Sequence, residues 1–147
     1  MNNKYFEILI KLAKKAGKRG EVPVSALIVK NNKIIAKAYN KREKKKCVFN
    51  HAEIIVLKKA SKKIKDWRLF DCDLYVTLKP CKMCELMINQ SRIKNVYYLL
   101  NKTKDKKEYY KTNYKETNER TLKESYSKEI QAFFKKKRDK KKHIWYN

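Results

Sequence analysis

Two short segments carry the side chains best suited to chemistry: His51-Ala52-Glu53 and Pro80-Cys81-Lys82-Met83-Cys84. Cysteines at i and i+3 share one face of a helix, so both thiolates reach a single zinc ion. A helix N-terminus favours the ionised thiolate through its free N–H groups and macrodipole, and Lys79 and Lys82 push the same way. His51 supplies a third donor. One His with two Cys leaves the fourth tetrahedral position to solvent, the arrangement of a catalytic zinc, and zinc lowers the pKa of such a water to about 7. Glu53, two residues beyond the histidine, then stands beside the metal as proton shuttle rather than as ligand.

Taken singly, the motifs say less. A lone CxxC is equally half of a zinc ribbon, and a lone HxE means almost nothing. Together, in this order and with proline before the first cysteine, they match the pattern of the zinc deaminases that act on nucleobases. The competing reading is a closed structural zinc with Cys47 or Cys72 as fourth ligand; spacing leaves both open, and otherwise they are ordinary thiols.

The surrounding pattern supplies elements to hold these residues. Phe6, Leu9, Ile10, Ala13 and Ala16 recur at helical steps between Asn3 and Ala16, with Gly17 and Gly20 ending the helix. Val22 to Val29 and Lys33 to Tyr39 read as a hairpin around Asn31-Asn32. His51 to Ala60 reads as a helix whose apolar N-terminal end is buried. A strand over Asp73 to Leu78, a helix from Pro80 through Ile88 and a strand over Ile93 to Leu100 suggest a parallel crossover. Residues 101–121 contain no Ile, Leu, Val, Met or Phe and read as a loop, a surface-docked helix, or a segment that orders on a partner. From Leu122 a helix anchored by Ile130, Phe133 and Phe134 runs into the basic stretch KKKRDKKK at 135–142, so residues 122–147 form a basic helix or arm.

A chain of 147 residues has the size of one compact domain, and 42% hydrophobic with 37% charged residues is a globular composition with a heavily charged surface. The formal net charge is +25, from 40 Lys and Arg against 15 Asp and Glu, which makes nucleic acid the first partner to consider, although a lysine-heavy compositional bias gives the same number. Charges throughout residues 1–16 interrupt any signal peptide or membrane span, so a cytoplasmic protein that meets no membrane is expected. Cys47, Cys72, Cys81 and Cys84 are too few and too unevenly spaced for a disulfide scaffold.

Beyond the metal motifs, Glu21-Val22-Pro23-Val24, the hairpin ending in Asn40, His51-Ala52-Glu53-Ile54, Leu74 to Cys81, Met83-Cys84 and Ser91-Arg92-Ile93 resemble the bacterial tRNA adenosine deaminases in order and spacing, over about residues 3 to 98. The resemblance implies a three-layer α/β/α sandwich with a mixed five-stranded sheet of the cytidine-deaminase-like kind, as a single domain over residues 1–147. It implies one zinc per chain held by His51, Cys81 and Cys84, Glu53 as acid and base, and Asn40, Pro23 and Ala52 touching the substrate. From the residues alone Asn40 reads rather as a strand-end or turn asparagine, and Pro23 with Val24 reads equally as a strand start followed by core residues. The activity implied is hydrolytic conversion of adenosine to inosine at the wobble position of a tRNA anticodon stem-loop, by a homodimer. Phe133-Phe134 and the basic run are similar to the relatives' C-terminal helix, which lies along the tRNA. Tyr97, Tyr98, Tyr109 and Tyr110 are candidates to stack on loop bases, with sheet packing favoured for Tyr97 and Tyr98. Cys47-Val48-Phe49-Asn50 replaces the relatives' usual Asp-Pro-Thr-Ala, and Leu99-Leu100-Asn101-Lys102 replaces a small and acidic pattern. Two other functions share these residues: a deaminase of free cytidine, deoxycytidylate, cytosine or guanine, and a non-catalytic nucleic-acid-binding module with structural zinc.

Overall fold

The computed structural model describes residues 2–101 and 113–139. The first amphipathic segment forms α1 (Asn3–Lys18), capped by the Asn2 side chain, which accepts from the Lys4 amide at 3.0 Å. Gly17 lies inside this helix rather than ending it; the chain leaves at Arg19 and turns at Gly20, whose φ of +79° suits a residue without Cβ. In the hairpin of β1 (Ser25–Lys30) and β2 (Lys33–Tyr39), Asn31 and Asn32 have φ of +50° and +59°. Consecutive left-handed residues make the tight turn whose twist matches the strands, and asparagine tolerates that conformation.

There follow α2 (Arg42–Lys45), α3 (Ala52–Ile64), β3 (Cys72–Leu78), α4 (Lys82–Gln90) and β4 (Asn95–Leu100). The strand order is β2-β1-β3-β4, with β1 antiparallel to both neighbours and β3 parallel to β4 across α4. The mixed sheet therefore has four strands among the described residues, not the expected five. The sequence after β4 has no alternation of apolar side chains of the kind that marks a strand.

The two-residue period of the strands divides the core. Ala26, Ile28, Leu74 and Val76 point to one face, where α3 and α4 contribute Val56, Leu57, Ala60, Cys84 and Ile88. Leu27, Val29 and Tyr75 point to the other, against Tyr5, Phe6 and Leu9 of α1. This is the expected three-layer α/β/α arrangement. Tyr75 meets Tyr5, Phe6 and Tyr97 at ring-centroid distances of 4.9, 5.6 and 4.8 Å, so the Tyr97 ring packs on the sheet.

The chain separates into two units, residues 1–105 and 106–147. Within the second, α5 (Arg120–Asp139) begins two residues before the expected start, and Phe133 and Phe134 meet edge to face at 5.4 Å. Tyr109, Tyr110 and the end of the KKKRDKKK run lie outside the described residues. No described helix is long and apolar enough to cross a membrane.

Leu74 is fully buried in the middle of the sheet, whereas Leu86 on α4 is 67% exposed. Leu74→Ala is expected to cost about 2–5 kcal/mol in urea unfolding, and Leu86→Ala about 0.5 kcal/mol or less. Equal effects would contradict this assignment of the core.

Candidate active site

At one end of the sheet β1 begins while β2 and β3 finish. Ser25 pairs with Tyr39 across the hairpin, and its amide donates to Thr77 Oγ1 of β3 at 3.1 Å. Past β3 the chain passes the buried Pro80 and reaches Cys81, the N-cap of α4. Pro80 thus precedes the cap instead of occupying the first helical turn. Past β2, the Asn40 amide donates to the Val24 carbonyl at 2.9 Å, and a loop containing α2 returns so that the Lys41 amide donates to the Asn50 carbonyl at 2.9 Å. The next residue, His51, is the N-cap of α3. Two helix N-termini are thereby brought to the same place.

His51 Nδ1 lies 3.8 Å from Cys81 Sγ and 3.5 Å from Cys84 Sγ, and all three donor atoms lie within 4.8 Å of one another. A tetrahedral zinc, with Zn–N near 2.0–2.1 Å and Zn–S near 2.3 Å, separates such nitrogen and sulfur atoms by about 3.6 Å. The donor set fits that ion in type and in spacing. The Cys84 thiol first, and the His51 imidazole next, hold the Cys81 thiol far below its ordinary range, at about 3. The same contact with Cys81 raises His51, against the opposing effect of burial. The pocket therefore favours a sulfur anion facing positive charge.

Glu53 is buried at 4% exposure in the first turn of α3, with Oε2 shut off from solvent, and its negative charge is felt at His51. The carboxylate stands beside the donor cluster without belonging to it. Ala52, the first residue of α3, is fully buried in the core. Asn40 is 7% exposed; its Oδ1 accepts from the Arg42 amide at 3.2 Å and its Nδ2 donates to the Val22 carbonyl at 3.4 Å. These two bonds make a turn at Asn40, directly after β2. Pro23 is exposed, and Val24 packs at the margin of the core.

Cys72 is fully buried in the core, where burial pushes its thiol up, and Cys47 sits in the loop before α3. Neither belongs to the donor group found among the described residues. The Cys47–Asn50 segment is a turn, closed by the Asn50 amide donating to the Cys47 carbonyl at 3.1 Å, with Val48 and Phe49 exposed. Glu21 was part of the resemblance pattern but had no assigned role. Its buried carboxylate accepts from the Glu43 amide at 2.8 Å and the Lys44 amide at 3.1 Å, and so secures α2. An acidic residue ahead of a strand gives no sequence sign of a partner 22 residues away.

The sandwich and its paired helix ends define a cytidine-deaminase-like protein. Residues 1–138 match the MafB19-like deaminase family, to which the chain belongs. It is 46% identical over 90 residues to a tRNA-specific adenosine deaminase of Bacillus subtilis (strain 168), covering 61% of this chain and 56% of the relative. It is 43% identical over 95 residues to the tRNA-specific adenosine deaminase of Aquifex aeolicus (strain VF5), covering 64% and 63%. The chain thus spans little more than half the length of these relatives. Among solved structures, one from work on A-to-I editing by tRNA:A34 deaminases at the wobble position of transfer RNA matches with a TM-score of 0.64 and 38% identity, over 65% of this chain and 74% of the other. Guanine deaminase of Bacillus subtilis matches with a TM-score of 0.74 and 27% identity, over 88% and 95%.

Elemental analysis of purified protein tests the donor set. Cys81→Ser and Cys84→Ser should each reduce bound metal at least tenfold, whereas Cys47→Ser and Cys72→Ala should retain it. Metal loss in Cys47→Ser together with retention in Cys84→Ser would require a different ligand set.

Proposed function

We propose that the chain is a zinc-dependent hydrolytic deaminase that converts adenosine to inosine at the wobble position of a tRNA anticodon. The observation that carries the chemistry is the convergence of His51, Cys81 and Cys84 to within 4.8 Å beside the buried Glu53. His51, Cys81 and Cys84 would hold the ion, which when bound supplies a Lewis acid and makes water acidic near neutral pH. Glu53 accepts a proton from the attacking water and delivers it to the purine ring nitrogen as the new C–O bond forms at C6. It next carries the hydroxyl proton to the amino group, so that ammonia departs as the C–N bond breaks. Burial keeps this carboxylate close to the reacting atoms and away from competing solvent.

The RNA substrate is supported by the relatives' names and by a formal charge of +25, which favours a polyanion. An anticodon-loop adenosine is already unpaired, which lowers the cost of taking it into a pocket. A homodimeric assembly and a cytoplasmic setting belong to this proposal through the resemblance and the substrate. Likewise the single deaminase domain ends, in this reading, in a basic helix that follows the RNA. The fit to guanine deaminase favours a second reading, deamination of a free base, because every metal residue would be shared. A closed structural zinc fares worse, since neither Cys47 nor Cys72 joins the described donor group.

Purified protein incubated with tRNA transcripts, and separately with free nucleosides and bases, should form inosine at the wobble position and leave the free compounds unchanged. The RNA reaction should weaken steeply as salt rises. Turnover confined to free guanine or cytosine compounds, insensitive to salt, would establish the second reading instead. Glu53→Gln should keep its metal and lose at least about a hundredfold in kcat; a fully active variant would remove Glu53 from the mechanism.

A further inference from the structure

Residues 14–21 and 41–46 carry nine basic and two acidic side chains. Among the described residues neither acid forms an ion pair with Lys15, Arg19 or Lys41. Glu21 is buried and directed at backbone amides, and Glu43 pairs with Arg42 at 3.1 Å. The Tyr39 ring gathers three of the remaining charges: Lys15 Nζ, the Arg19 guanidinium and Lys41 Nζ lie 5.7, 5.8 and 5.1 Å from its centroid. Two come from the end of α1 and one from the loop beyond β2, so separate segments supply a single cluster.

A helix C-terminus favours cations, which accounts for Lys15 and Arg19. It does not account for Lys41, which lies on a different element. The cluster is also anchored to the site, because Asn40 and Lys41 follow Tyr39 directly and the Lys41 amide donates to the carbonyl of Asn50, which precedes His51.

We infer that Lys15, Arg19 and Lys41, arrayed around Tyr39, form a phosphate-binding platform that holds the RNA backbone beside the reacting nucleotide. This rests on the reading of RNA as substrate, and it names a surface separate from the basic C-terminal helix. Gathered cations with little local neutralisation collect counterions from solution, and a phosphodiester backbone releases those ions when it binds. Tyr39 lends its ring face to all three charges and limits their spread. Glu21, by fixing α2, keeps the loop that carries Lys41 from moving away.

The test uses metal-loaded protein and a fluorescent anticodon stem-loop RNA, with Kd measured across a salt series and KM and kcat measured in parallel. Lys15→Gln with Arg19→Gln and Lys41→Gln should raise Kd and KM about tenfold or more while changing kcat far less. The slope of log Kd against log salt should fall by about 2, at roughly 0.7 per lost phosphate contact. Lys41→Gln alone lies outside α1 and should account for about one third of that slope, whatever the triple variant does to helix stability. A charge-matched control, Lys58→Gln with Lys62→Gln and Lys63→Gln on exposed positions of α3, should move the slope by less than half as much. Equal effects from the two triple variants would assign the binding to net charge and overturn the platform, as would an unchanged slope in Lys41→Gln. RNA binding that depends on the platform, combined with deamination of free bases only, would overturn the substrate reading and leave the platform standing; absence of RNA binding by the unsubstituted protein would overturn both.

Discussion

Two helices with their positive ends aimed at one spot repel each other unless something anionic lies between them. The donor atoms of the two N-caps, His51 of α3 and Cys81 of α4, are 3.8 Å apart. The Cys81 thiolate and the Glu53 carboxylate supply compensating negative charge, and the low proton affinity of Cys81 expresses the same field. A divalent cation can then enter a cluster whose charge is already arranged for it. The other features of this end of the sheet, from the buried Pro80 to the Asn40 turn, keep the two helix ends aligned.

The parts of this design that a sequence displays are those set by local chemistry. Asn31-Asn32 announced a tight hairpin because few residues accept two successive positive φ values, and the structure has both. His51 and the CxxC pair announced a metal site because their side-chain types are rare and their spacing is helical. By contrast, α2 is a four-residue helix of Arg, Glu and Lys with no apolar period, and it is secured by a Glu21 carboxylate distant in sequence. Nothing local could reveal it. The expected fifth strand came from resemblance alone, and residues 101–121 offer no apolar alternation to support it. The Asn40 side chain shows both cases: its bond to the Arg42 amide is the local turn contact that an asparagine offers, whereas its bond to the Val22 carbonyl joins residues 18 apart.

The resemblances divide along the same physical line. The tRNA-specific deaminases match at 46% and 43% identity over 90 and 95 residues. The likeness to guanine deaminase spreads over more of the chain at lower identity, as expected when a backbone architecture outlasts its surface chemistry. Reaction type resides in the shared cluster. Ahead of His51 this chain also carries lysines at 44–46 and an exposed Val48-Phe49 turn.

The donors also come from two distant stretches of the chain, with 29 residues between His51 and the Cys81/Cys84 pair. No fragment containing only one of the two helices can assemble the cluster, so coordination rewards the complete tertiary structure and nothing short of it. An ion held there would act as a removable cross-link closing a long loop, and it would shift the folding equilibrium by mass action.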